Sequence, residues 1–212
     1  MTISLRLIDS IRSIQNKINT AIAQEMHSKI MKHKAKIMKD LRNLVGIWIR
    51  SQPEILSLHS GAPESLASHF GLPKGSSDAV VAHIVASVQS SIDARLIKFT
   101  PRLQGGIIIN IQPDNLANLL GLRSGHVTTS KGTDLHWLSW LLERGRDVIV
   151  VGYHYTPDTA PRGRSGGGTM GAGSAWRVPP EYAGTIADNF VTRAFEGKEK
   201  DIAHLFSRML KV

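Results

Sequence analysis

Ile8, Ile11, Ile18 and Ile22 begin a series of apolar positions that continues through Met26, Ile30, Ile37, Leu41, Leu44 and Trp48 at spacings of three, four or seven. That is the period of one helical face, and it predicts a single helix over residues 3–50. No proline interrupts the run, and Gly46 is its only glycine. At about 1.5 Å per residue such a helix reaches roughly 70 Å, longer than a domain of this size is wide. Pro53 ends it. Residues 61–76 hold Gly61, Pro63, Gly71, Pro73, Gly75 and Ser76, which predict a short helix between two turns. Ser77 or Asp78 then caps a second helix whose stripe is Val81, Ile84, Val85, Val88 and Ile92.

The period changes after residue 94. Runs at 95–103 and 106–112, separated near Gly105-Gly106, predict a hairpin, with Pro101 placing its first strand at an edge. A short helix is expected from Pro113 and Asp114 to Leu120, closed by Gly121. A second, over 134–144, opens at Asp134 and ends at Gly145. Its apolar residues on most sides, Trp137, Leu138, Trp140, Leu141 and Leu142 among them, point to burial. Residues 148–155 read as the best strand of the chain. A long glycine-rich loop is expected over 156–174, then a short run at 175–178. The final helix, 185–209, carries Val191, Ala194, Phe195, Ile202, Leu205, Phe206 and Met209 on one face, with a bend at Gly197. The expected class is α+β: a long N-terminal helix, a small antiparallel curved sheet with an extended glycine-rich loop, and a C-terminal helix packed on the sheet. The expected division is a basic arm at 1–52, a linker with a short helix at 53–77, and an α+β domain at 78–212.

Charge sharpens this picture. The chain of 212 residues carries a formal net charge of +9, and ten of its 26 Lys and Arg residues fall in the first 50 positions. Only Asp9, Glu25 and Asp40 oppose them there, so the rod is strongly cationic and the rest of the chain is close to balance. The cluster Lys29, Lys32, Lys34, Lys36 and Lys39 makes a candidate contact with DNA or with an acidic partner surface. The simpler reading of such a cluster is a solvated face that aids solubility.

Composition excludes several classes. With no cysteine, there are no disulfides, thiolate metal sites or cysteine nucleophiles, and synthesis in the cytoplasm is the expectation. The first residues do not read as a secretory signal, because Arg6, Asp9 and Arg12 break the apolar run. No stretch approaches the ~18 uninterrupted apolar residues of a membrane span. The nine histidines show no metal-ligand spacing, and no nucleophile elbow occurs. Neither a catalytic residue nor a metal or other cofactor is expected. Gly166-Gly167-Gly168-Thr169-Met170-Gly171 satisfies the dinucleotide pattern formally but follows no strand-to-helix turn, so it predicts a loop ordered against a neighbour. Trp137, Trp140 and Trp176, with Tyr153 and Tyr155, are better read as core than as stacking platforms, since basic residues do not interleave with them.

Four segments carry a resemblance. They are the Leu135–Leu142 run LHWLSWLL, the Arg164–Met170 run RSGGGTM, the Trp176–Thr185 run WRVPPEYAGT and the Asp188–Ala194 run DNFVTRA. In this order, over roughly residues 78–197, the chain resembles the neck or tail-completion (head–tail connector) proteins of tailed bacteriophages. It departs from smaller members in its rod of about 50 residues and in the 53–76 region. The resemblance implies a virion structural protein, synthesised in the host cytoplasm, that forms a ring of six or twelve copies at the head–tail junction. Its partners would be portal or adaptor proteins on one side and tail-terminator or tail-tube proteins on the other, with packaged DNA passing through the lumen. It also implies that Arg162, Arg164, Gly166, Gly167, Gly168 and Met170 make inter-subunit or tail contacts. A free DNA-binding accessory protein using the basic helix is the alternative.

Overall fold

The structure, a computed structural model, describes residues 8–112, 115–129, 132–158 and 163–210. Helix α1 (Ile11–Arg50) is one unbroken helix of 40 residues, about 60 Å long. The side chain of Ser10 caps it by accepting the Ser13 N–H at 3.2 Å. Pro53 sits at the first turn of α2 (Pro53–Ser60), where a missing N–H does no harm, and Gly61 closes that helix in the left-handed region. Helix α3 (Leu66–His69) and helix α4 (Ser77–Ser91) follow. Residues 53–77 are more than a linker. Ile55, Leu58, Leu66, Ala67, Phe70 and Leu72 are buried in the same core as Leu41, Val45 and Ile49 of α1, and Ile84 and Val88 of α4.

The strands form three separate two-stranded antiparallel ladders rather than one sheet. In the first, β1 (Asp93–Ile97) pairs with β2 (Gly106–Asn110), Arg95 opposite Ile108. Pro101 lies in the connecting turn, closed by Thr100 and Gln104, and not in a strand. Helix α5 (Ala117–Leu120) ends at Gly121, while Pro113 and Asp114 lie outside the described residues. Strands β3 (Val127–Thr128) and β4 (Asp134–Leu135) make the second ladder, so Asp134 is a strand residue and the helix after it, α6 (Leu138–Leu142), is shorter than its sequence pattern suggests.

The third ladder corrects the expectation of a loop at 156–174. Strand β5 (Val150–Pro157) pairs along its length with β6 (Gly168–Trp176), from Val150 opposite Trp176 to Pro157 opposite Gly168. A register shift falls between Val151 and Tyr153, where Gly152 has φ +83°. The glycines at the start of β6 have a packing reason. A Cβ on Gly167, just before the strand, would strike the Ser68 hydroxyl, and one on Gly168, its first residue, would strike Tyr155 Oη, so this end of the ribbon closes onto α3 only without side chains.

The expected C-terminal helix is two. Helix α7 (Phe190–Phe195) carries a capping box in which Asn189 accepts the Val191 and Thr192 N–H groups and Thr192 reciprocates. Gly197, at φ +70°, breaks the chain before α8 (Glu199–Leu210). Both helices lie along α1, with Trp48 edge-on to Phe195 at 6.3 Å and Ile37 against Leu205 and Phe206. The packing of the C-terminal helix is therefore on the long helix, and α1 is the spine that both ends of the chain share. The class is α+β.

Candidate functional site

Residues spaced by three and four on a helix share a face. Lys29, Lys32, Lys36 and Lys39 are spaced three, four and three, so the structure sets them in one row down α1, all exposed. Lys34 belongs elsewhere. It is half-buried and edges an apolar hollow with Ile37, Ala94, Leu96, Ile107 and Phe206. The row of four spans ten residues, about 15 Å, so it matches several successive backbone phosphates of a duplex or an acidic face of similar length. Over residues 29–50 seven basic groups meet a single acid, Asp40. The row offers charge and reach.

The loop residues fall differently. Arg162 lies outside the described residues. Arg164 is bound within its own chain: Nε donates to the Gly71 carbonyl at 2.8 Å and Nη1 to the Thr128 carbonyl at 2.6 Å. It staples the end of the β5–β6 ribbon to the body. Gly166 takes φ +77° beside Lys74, and Gly167 and Gly168 pack on α3 and Tyr155. Met170, opposite Tyr155 in the ladder, is exposed.

The three tryptophans are core residues. Trp137, Trp140 and Trp176 are buried, and their indole N–H groups point to the Ser124 carbonyl, the Asp147 carbonyl and His69 Nε2 respectively. His126 and His136 stack face to face at 4.2 Å, with Asp134 on His126 Nδ1 at 2.7 Å. Burial holds His136 below its usual pKa, and the charge of His126 acts in the same direction. Among the described residues no group of three or more His, Asp or Glu is placed to hold a metal ion, and no helix is long and apolar enough to cross a membrane.

Two buried polar sites give no signal in the sequence. Glu54, at the start of α2, is fully buried and pairs with Arg193 of α7, which also holds Asp188 at 2.5 Å. Burial pushes the Glu54 carboxyl up, and Arg193 offsets this only in part. His69 sits among Phe70, Tyr155 and Trp176, with Nε2 2.7 Å from the Trp176 indole nitrogen and 2.9 Å from the Arg177 carbonyl oxygen. Burial lowers its pKa to about 4, although the Arg177 carbonyl and Glu181 favour the charged ring. A depressed histidine pKa means the unfolded chain binds the proton more readily. The stabilisation is complete above pH 6.5 and is lost as the pH falls toward 4. At pH 4.5 the loss reaches about 2.5 kcal/mol. Urea titrations at pH 7 and 4.5 check this: His69→Gln removes that share of the acid sensitivity, and an unchanged pH dependence would exclude His69 as its source.

Comparison with protein-family models, with characterised proteins and with solved structures returns no match for this chain. The fold and the basic row together define an α+β domain built on a long cationic helix.

Proposed function

We propose that the chain is a virion structural protein of the neck or tail-completion class, a ring-forming head–tail connector that joins the portal side of a capsid to the tail and lines the DNA passage. The single observation that carries this reading is the row Lys29, Lys32, Lys36 and Lys39 on the exposed side of a 40-residue helix. A ring through which DNA passes needs extended elements that reach a neighbour and a lumen wall that tolerates phosphate. The sequence resemblance over residues 78–197 supports the same class. The role needs no catalytic centre and no cofactor, and six or twelve copies would close the ring.

The same row also favours the second reading, a free DNA-binding accessory protein. An early stop codon in the gene of the phage, followed by electron microscopy of the lysate, separates the two. The neck reading expects DNA-filled heads beside finished, unattached tails. Infectious particles, together with salt-sensitive DNA retardation by the purified chain that is lost on changing the four lysines to glutamine, would give the protein to the accessory class.

A further inference from the structure

His126 and His136 continue the β3–β4 ladder beyond its two paired positions. Val127 faces Leu135 and Thr128 faces Asp134, so the next positions outward in the same register are His126 and His136. Their rings lie face to face, with centroids 4.2 Å apart and planes 7° from parallel. Parallel rings send their nitrogens in parallel directions, so the pair does not converge on a metal ion. Instead it closes the open end of a very short ladder.

One proton on the pair is tolerable, and a second is not. His126 Nδ1 donates to the Asp134 carboxylate at 2.7 Å, so a charge on His126 is balanced. The second proton has to sit on His136, whose Nε2 is buried and has no hydrogen-bond partner among the described residues. A lone pair is harmless there, whereas an N–H is a buried donor without an acceptor. Burial is the main cause that lowers the His136 pKa, and the charge of His126 adds to it. Glu143 and Asp134 oppose that shift, and Arg144 reinforces it.

The ladder in turn holds the ribbon. The charged group that the ribbon sets on it is Arg164, whose Nη1 donates to the Thr128 carbonyl at 2.6 Å while Nε donates to the Gly71 carbonyl at 2.8 Å. On the side of the core, the Trp137 indole N–H reaches the Ser124 carbonyl at 3.1 Å and Gly125 packs on Leu138. We infer that the stacked His126–His136 pair is an acid-sensitive latch. With at most one proton it keeps β3–β4 closed and the Arg164 staple in place; with two it opens the ladder and releases that end of the ribbon. Two like charges at stacking distance repel, and the second has no acceptor to offset its burial. The sign follows from His136. A ring that the fold keeps neutral contributes its stabilisation above pH 6.5 and loses it as the pH falls. The latch stands apart from the reading of the chain as a connector and needs no partner.

Hydrogen exchange of the full chain, read by mass spectrometry and corrected for the intrinsic rate at each pH, tests the latch. Between pH 7 and 4.5 the protection of residues 126–136 and 163–168 should fall together, by at least about tenfold more than that of α4. His126→Gln and His136→Gln each leave a single titrating ring, so each should cut this extra fall to less than about twofold. If one of the two does not fold, the other carries the test. Arg164→Gln should expose 163–168 already at pH 7 and leave the acid opening of the ladder unchanged. His69 also has a lowered pKa, and His69→Gln should leave the extra fall intact. The latch is overturned if the unmodified chain shows no extra fall, if the fall persists in the two glutamine variants, or if it disappears in His69→Gln. A ladder that opens in acid while 163–168 stays protected would overturn the link to the ribbon.

Discussion

Changing Arg193 to alanine lowers the stability of the fold by about 3–5 kcal/mol. The reason is what the substitution leaves behind. Glu54 is fully buried at the first turn of α2, and the Arg193 guanidinium bonds one of its carboxylate oxygens while no hydrogen-bond partner among the described residues reaches the other. The desolvated charge is tolerable only beside its counter-ion. Urea denaturation of Arg193→Ala, Glu54→Gln and the double variant measures this as a cycle. The double variant should recover most of the loss, because an amide in that position carries no uncompensated charge. Acid gives the same information with the opposite sign from His69. The Glu54 carboxyl already titrates above its ordinary value, so lowering the pH neutralises it and narrows the gap between Arg193→Ala and the wild type. A gap that stays constant from pH 7 to 4.5 would show that lost packing, not the buried charge, sets the effect.

Gly184→Ala should be of similar size, on the order of 3 kcal/mol or more. Gly184 joins the 3-10 turn at Pro180–Tyr182 to the capping box of α7, and its N–H donates to the Trp140 carbonyl at 3.1 Å. Its carbonyl accepts the Gly145 N–H at 2.8 Å. A Cβ here would overlap the Leu141 carbonyl oxygen, lie 2.6 Å from the carbonyl carbon, and meet Asn189 Cβ at 3.0 Å. Those are backbone and buried atoms in the middle of the α6–α7 junction, and neither can turn aside. Asn189 is itself fully buried and donates through Nδ2 to the Thr185 carbonyl at 2.8 Å, so the displacement would reach the α7 cap. Thermal unfolding of Gly184→Ala beside the exposed control Gly75→Ala checks the claim. Equal effects at the two positions would reduce Gly184 to a matter of backbone freedom.

Both predictions concern the part of the chain whose sequence looked most distinctive, the Trp-rich run and the segment leading to Ala194. The structure gives that segment a physical account: Trp137, Trp140 and Trp176 fill the core, Gly184 permits a close crossing, and Asn189 caps the helix that presents Arg193 to Glu54. The packing explains why these residues stand here in this fold.

What the sequence by itself determined follows from local periodicity. The apolar series from Ile11 to Trp48 set the long helix, and the stripe Val81, Ile84, Val85, Val88 set α4, because a 3.6-residue repeat is written in neighbouring positions. The helical spacing also sets Lys29, Lys32, Lys36 and Lys39 in a row, whereas Lys34, grouped with them by sequence, is drawn to the edge of the hollow beside Phe206 by the tertiary packing. Pro53 marked the end of the long helix for an equally local reason. Strand β6 did not announce itself. Gly168–Trp176 contains no β-branched apolar residue, and it is a strand because β5 offers it a backbone partner, its first residue fitting against Tyr155 only as glycine. The shared spine of α1, the burial of Ile55, Leu58, Leu66 and Phe70, the inward staple of Arg164 and the pairing of Glu54 with Arg193 across 139 positions were likewise decided by the tertiary structure. Each depends on which distant groups the core brings into contact, and a charge buried at one end of the chain carries no local mark of the charge that balances it at the other.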